Sequence, residues 1–396
     1  MKRLGIAAVA FCLLASHGVM AQPERKVSVA QVAMGQELVP VLSHYAVIVQ
    51  ATYQDTLTAT LELRRAVNAF VAAPSAAGLV TARQAWLAAR ERYALTEAFR
   101  FYAGPIDSGT GPEPRINSWP VDESFIDGII GQPSAGLVNN RKFVINKKTL
   151  AAINVRDGEE NVAAGWHAIE FLLWGQDVSV SGPGERPYTD YVAAKAPNAA
   201  RRGRYLQVAA DLLVDDLTHV LRAWAPNTAN YRRQFVREGG ESLRRIIVGL
   251  GMLTRSELAG ERLEVPLASQ DQEDEQSCFS DNTHRDIVGN AKGLQNVWLG
   301  RYTRLDGARI EGPSLRELVA SRDPALAAQL TQRMEESVAL AEAVVPPFDR
   351  EIVGDASAAG RIRVRQVVDS LVRQAAELLD AARALGMQRL NWAPKA

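Results

Sequence analysis

Cysteine is nearly absent from this sequence: Cys12 and Cys278 are the two in 396 residues. Cys12 sits in an apolar run from Leu4 to Leu14, which follows the basic pair Lys2 and Arg3 and precedes the small-residue site Val19-Met20-Ala21. That order predicts a cleaved export signal over residues 1–21, with the mature chain starting near Gln22. Cys12 lacks a lipoprotein-type context, so a lipid anchor is not expected. One cysteine then remains in the mature chain. No internal disulfide can form, and the apolar core must hold the fold unaided. Cys278 reads as a small buried apolar residue.

Net charge is missing too. Forty-five basic residues balance 45 acidic ones, which gives no support to nucleic-acid binding or to a polybasic membrane contact. Beyond the N-terminal segment no run reaches the ~18 consecutive apolar residues of a membrane span. Alternating strand patterns are absent, as are phosphate loops, nucleophile elbows, Cys-x-x-Cys pairs and dinucleotide fingerprints.

What remains is helical periodicity. The apolar stripe Tyr45, Ile48, Val49, Tyr53, Leu57, Leu61, Val67 predicts a long helix from about Gln36 to Ala72. Further helices are expected near 79–102, 159–174, 198–223, 231–256, 282–302, 314–320, 325–344 and 358–385. A Gly-, Pro- and Asn-rich loop fills 104–140, and the acidic stretch Gln270–Gln276 reads as a solvated linker. The expected fold class is all-α, with two four-helix-bundle-like domains over 30–225 and 226–390. Their matching helix counts suggest an ancient duplication.

The segment Gly165-Trp-His-Ala-Ile-Glu-Phe-Leu-Leu-Trp-Gly175 carries the strongest chemical signal. His167 and Glu170 stand at i and i+3 on one face of an otherwise apolar helix. Burying both costs free energy unless partners satisfy them. They fit a shared metal ion, iron or zinc, or a buried hydrogen bond that locks two helices. The spacing lacks the second histidine of a zinc-protease HExxH.

The helix before it offers a matching face. Trp86, Arg90, Tyr93, Glu97 and Arg100 follow 4, 3, 4, 3 spacing, which makes Glu97 a candidate ligand and Arg90, Tyr93 and Arg100 candidates to line the site. Asp107, in the turn that follows, is a further candidate ligand or a loop cap. In the second half, Ser280, Asp281 or Asn282 would cap a helix whose first turn holds His284. There a neutral imidazole, the ligand form, is favoured. Asp281 and His284 are further candidates to line the site.

The segments Gly165-x-His167-x-x-Glu170 through Asp177, Trp86…Arg90…Tyr93…Glu97…Gly104-Pro-Ile-Asp107, Arg115-Ile-Asn-Ser-Trp-Pro120, Cys278-Phe-Ser-Asp-Asn-Thr-His284 and Asn296-Val-Trp-Leu-Gly300-x-Tyr302 together resemble the imelysin family. That family includes iron-regulated proteins and proteins called insulin-cleaving metalloproteinases. The resemblance implies an exported helical protein, periplasmic or on the periplasmic face of the outer membrane. It implies a metal site at the domain interface around His167 and Glu170, and an envelope iron-transport component as partner. A metallopeptidase on the same residues, or a non-catalytic module binding a peptide or glycan, are the alternatives it leaves open.

Overall fold

The computed structural model describes residues 29–387 and 390. The expected signal segment lies outside them. The longer helices are α1 (Val29–Ala72), α2 (Ala76–Ala94), α4 (Gly165–Trp174), α5 (Ala199–Ala223), α6 (Gly240–Met252), α7 (Thr283–Leu299), α8 (Pro324–Glu342) and α10 (Ala359–Ala384). Two short ones matter below, α3 (Glu113–Asn117) and α9 (Asp349–Ile352). The fold is all-α. One short antiparallel hairpin is its strand content among the described residues, β1 (Arg301–Thr303) with β2 (Arg309–Glu311).

α1, α2, α4 and α5 pack on one another as one bundle, and α6, α7, α8 and α10 as a second. The turn at Pro226-Asn227 lies between α5 and the short helix Tyr231–Arg237. The two bundles share one continuous apolar core, because α7 lies across α2 and the 3-10 turn Leu95–Phe99. Two glycines permit that crossing. A Cβ on Gly289 would sit 2.4 Å from the Ala94 side chain, and one on Gly293 would sit 2.6 Å from the Leu95 carbonyl oxygen.

Local chemistry moved several boundaries. The helix expected to start near Glu159 starts at Gly165, because Asn154 Oδ1 takes the Ala163 and Ala164 amides at 2.8 and 3.0 Å and holds Ala164 extended. The helix expected to reach Tyr102 ends at Ala94 and tightens into the 3-10 turn before positive φ at Phe101 and Ala103. The helix expected to reach Tyr302 stops at Leu299, where Gly300 adopts φ 62 and turns the chain into the hairpin. The single helix expected over 231–256 is three pieces, the last a π-helical stretch, Leu253–Glu264. The 104–140 loop contains three short helices, Glu113–Asn117, Glu123–Ile126 and Gly136–Asn139. The acidic stretch is no free linker throughout, since Glu275 and Gln276 are buried.

Replacing Gly293 by alanine sets a methyl against the Leu95 carbonyl, and overpacking of this kind costs about 1–3 kcal/mol. Urea unfolding of Gly293→Ala should show that loss. A variant as stable as the parent would mean that α7 does not seat this closely.

Candidate functional site

Gly165 sets the site's geometry. It begins α4 at φ 89, and a Cβ there would lie 2.5 Å from the Ile116 carbonyl oxygen, so the helix start rests directly on the backbone of α3. Trp86 Nε1 on α2 donates to the Trp166 carbonyl at 3.1 Å. Trp86 also packs edge-on against Trp166 and Trp174. Every residue of α4 is buried. One turn into this apolar helix come His167 and Glu170.

They meet each other. His167 Nδ1 and Glu170 Oε2 share a hydrogen bond of 2.7 Å. Glu170 Oε1 accepts the Ser280 amide at 3.0 Å and the Ser280 hydroxyl at 2.5 Å. Both carboxylate oxygens are therefore occupied. Burial pushes the Glu170 carboxyl up to about 8. Burial, reinforced by Arg90 and Arg262, pushes the His167 imidazole well below its ordinary range, so the ring is neutral. Its second nitrogen, Nε2, is buried without a hydrogen-bond partner.

Around this pair runs an interior network of charge. Arg90 donates to Asp286 through Nε at 2.8 Å and Nη2 at 3.3 Å, and to Asn117 through Nη1. Ser277 donates to Asp286 at 2.5 Å. Glu97 Oε2 accepts Arg100 Nη1 at 2.7 Å and Arg262 Nη2 at 2.6 Å. Arg100 also pairs with Glu113 at 2.8 Å, and Arg262 with Glu257 at 2.7 Å and with Asn290. Burial pushes the Glu97 carboxyl up, yet Arg100 and Arg262 together hold it at about 2.

The four expected ligands are thus not gathered around one point. His167 and Glu170 touch each other, whereas Glu97 belongs to the arginines. Asp107 accepts the Gly104 amide at 2.7 Å, the Tyr102 amide at 3.2 Å and the Phe101 amide, which is the loop-capping alternative. Tyr93 packs its ring on Trp166 at 5.4 Å and leaves its hydroxyl unpartnered. Half-buried His284 donates from Nδ1 to the Asp281 backbone carbonyl, 3.0 Å away, with its ring pushed down by burial. A cleft of about 570 Å³ passes over Ser280, Asp281 and His284, so it approaches Glu170 through Ser280.

Sequence reasoning missed Arg262, Asp286 and Ser280 as members of the site. Arg262 and Asp286 carry no motif. Ser280 was read as a helix cap, but α7 starts after Asn282 with no side-chain cap bond. The Ser280 hydroxyl goes to Glu170 instead.

Glu97→Gln removes the charge facing two buried arginines, and breaking a buried pair in this way costs about 3–5 kcal/mol. Because its folded pKa of about 2 lies below the ordinary 4.5, Glu97 stabilises the fold fully above about pH 4.5. That contribution is lost as pH falls toward 2. Urea unfolding across this range should show a steeper acid loss in the parent than in Glu97→Gln. Parallel curves would remove Glu97 from the centre of the network.

Comparison with known proteins agrees with the motif reading. The Imelysin family model matches residues 49–378. Iron-regulated protein A of Synechococcus elongatus is 27% identical over 350 residues, covering 84% of this chain and 84% of that protein. An iron-regulated protein A precursor from Parabacteroides distasonis has the same fold at 17% identity, with a TM-score of 0.67 over 88% of this chain and 95% of its own. An imelysin-like protein from Psychrobacter arcticum is similar at 15% identity, with a TM-score of 0.65 over 89% of this chain and 97% of its own. These last two likenesses speak for the fold alone. With most of its length inside the family model, the chain belongs to the imelysin family.

Proposed function

We propose that this is an exported iron-handling protein in which His167 Nε2 is offered to a metal ion. The observation that carries the reading is that nitrogen: buried, unpartnered and backed through Nδ1 by a carboxylate. In metal sites, a ligating histidine commonly donates its other ring N–H to a carboxylate, which fixes the tautomer and raises the basicity of the ligand. Glu170 is placed to accept that N–H once the ring binds a metal through Nε2. It is a positioning residue rather than a co-ligand, since His167 and Ser280 use both of its oxygens. Iron is favoured over zinc by the name of the Synechococcus relative. The basic and apolar start of the sequence supports export to the periplasm, or to the periplasmic face of the outer membrane. An envelope iron-transport component is the expected recipient of the metal. Among the described residues no helix is long and apolar enough to cross a membrane.

Binding fits this geometry better than hydrolysis. A metallopeptidase needs about three protein ligands, an open position for water and a general base. Glu170 is occupied, and Glu97 and Asp107 are engaged elsewhere.

At neutral pH the Glu170 carboxyl, pushed up to about 8, keeps its proton and donates it to Nδ1, leaving Nε2 protonated. Ligation at Nε2 requires the other tautomer, so uptake of metal expels about one proton per ion. Calorimetry with Fe²⁺ under anaerobic conditions, and with Zn²⁺, in buffers of different ionisation enthalpy should show that release. In His167→Ala one equivalent of bound ion should be lost, and in Glu170→Gln the proton release. Unchanged stoichiometry and affinity in His167→Ala would sink the proposal.

A further inference from the structure

A second group of acidic residues lies one peptide bond beyond the Ser280 contact. Asp177 follows α4, Asp281 stands in the turn before α7, and Asp349 opens α9. Each contributes an oxygen, and the three oxygens lie within 4.8 Å of one another. Oxygens on opposite sides of one calcium-sized ion stand about 4.6–5.2 Å apart, twice the metal–oxygen distance. One cation therefore fits among them. No other group of three or more His, Cys, Asp or Glu ligand atoms this close occurs among the described residues.

The oxygens are unspent. Asp281 Oδ1 and Oδ2, Asp349 Oδ1 and Oδ2, and Asp177 Oδ2 are buried and meet no hydrogen-bond donor. Asp177 Oδ1 alone accepts a bond, from the Ser179 amide at 3.0 Å. A fourth carboxylate, Glu275, is 1% exposed. Neither of its oxygens has a partner at hydrogen-bond geometry, and it lies close to Asp349 and Asp281, which raise it, and to the Thr283 hydroxyl, which opposes them. Polar groups buried without partners cost free energy, and carboxylates cost most. A core that pairs Glu97, Asp286 and Glu170 so fully leaves seven of these eight oxygens without a donor.

We propose that Asp177, Asp281 and Asp349, with Glu275 behind them, form an all-oxygen site for a hard divalent cation, separate from His167. The donor set is the one that suits such ions. The site is also reachable. Asp281 lines the cleft of about 570 Å³, and Asp177 and Asp349 line another of about 460 Å³. Three separate chain segments converge there. They are already tied by Gln272 Nε2 donating to the Asp177 carbonyl at 2.7 Å and by Arg350 Nε donating to the Val180 carbonyl at 3.3 Å. The alternative is that the carboxyls pair by sharing protons. Burial pushes all four up, Asp281 to about 8, and repulsion from neighbouring carboxylates adds to it on Asp177, Asp281 and Glu275. Glu275 and its own amide oppose it on Asp349, and Arg350 opposes it on Asp281 and Asp349.

The test uses the full chain stripped with EDTA, with Mn²⁺ as probe. Binding is read from the loss of the free-ion paramagnetic signal, stability from thermal melting, and Ca²⁺ serves as competitor. The parent should bind one Mn²⁺ and melt higher with it. Losing an outer partner of a metal site already costs 10–100-fold, so Asp177→Asn and Asp349→Asn, in different loops, should each weaken binding at least about tenfold. Their metal-free forms should melt no lower than the parent, because a repelling charge is gone. His167→Ala should bind Mn²⁺ as the parent does. No Mn²⁺ uptake by the parent near neutral pH at millimolar ion, or a retained melting shift in both Asn variants, would overturn the site. Loss of Mn²⁺ in His167→Ala would overturn its separateness, whereas the Zn²⁺ and Fe²⁺ titrations judge the His167 reading independently.

Discussion

Glu97 Oε2 receives one arginine from its own turn, Arg100, and one from the π-helical stretch of the second bundle, Arg262. All three side chains are buried, so none of these charges has water to fall back on. Removing Glu97 takes from two buried arginines the carboxylate they share, and removing either arginine leaves Glu97 with one buried cation in place of two, which is the costly direction for buried ions. The two bundles are therefore held in register by charge at the same depth where Gly289 and Gly293 bring their backbones together. Apolar burial supplies the drive to collapse. The ion network sets which collapsed arrangement has no stranded charge.

That network also prepares His167. Arg90 and Arg262 stand close enough to disfavour a protonated imidazole, on top of the penalty from burial. Glu170 faces the ring from the same helix and is held by Ser280 from the other bundle. The imidazole is thus neutral, fixed in orientation, and tied to the contact between bundles. A change in how the bundles meet would alter Ser280 first, Glu170 next, and the basicity of Nε2 last. The site and the interface share the same bonds.

Much of this was legible in the sequence. Period-3.6 patterning gave the long helices because their apolar stripes are continuous, and the i, i+3 spacing put His167 beside Glu170. The stripe from Trp86 to Arg100 does face the interior, with Trp86, Arg90, Tyr93, Glu97 and Arg100 all buried. Boundaries failed where a single side chain overrode periodicity, as Asn154 did at the start of α4. Partner choice failed for a different reason. Spacing says which residues share a face but not what crosses from the other bundle, so Glu97 looked like a ligand before Arg262 was in view. Ser280 and Asp281 looked like helix caps because cap preference is local, whereas their actual environments are set by chain more than 60 residues away.

Two kinds of buried carboxylate now stand within one interior, and the contrast separates structure from candidate function. Glu97 is saturated with donors and held at about 2. It is a charge the fold needs and has paired. Asp281 lies in the opposite condition, with both oxygens bare and its pKa pushed to about 8 by burial and by Asp349 and Asp177. Stability alone would favour an apolar or amide side chain at such a position, since an unpaired buried acid only subtracts from it. Asp281 moreover adopts φ 55, a conformation that disfavours most side chains. Backbone and burial both work against this residue in the empty fold. The same oxygens that cost free energy there are the hard donors a divalent cation needs, and that is the physical reason to read Asp177, Asp281 and Asp349 as built for occupancy.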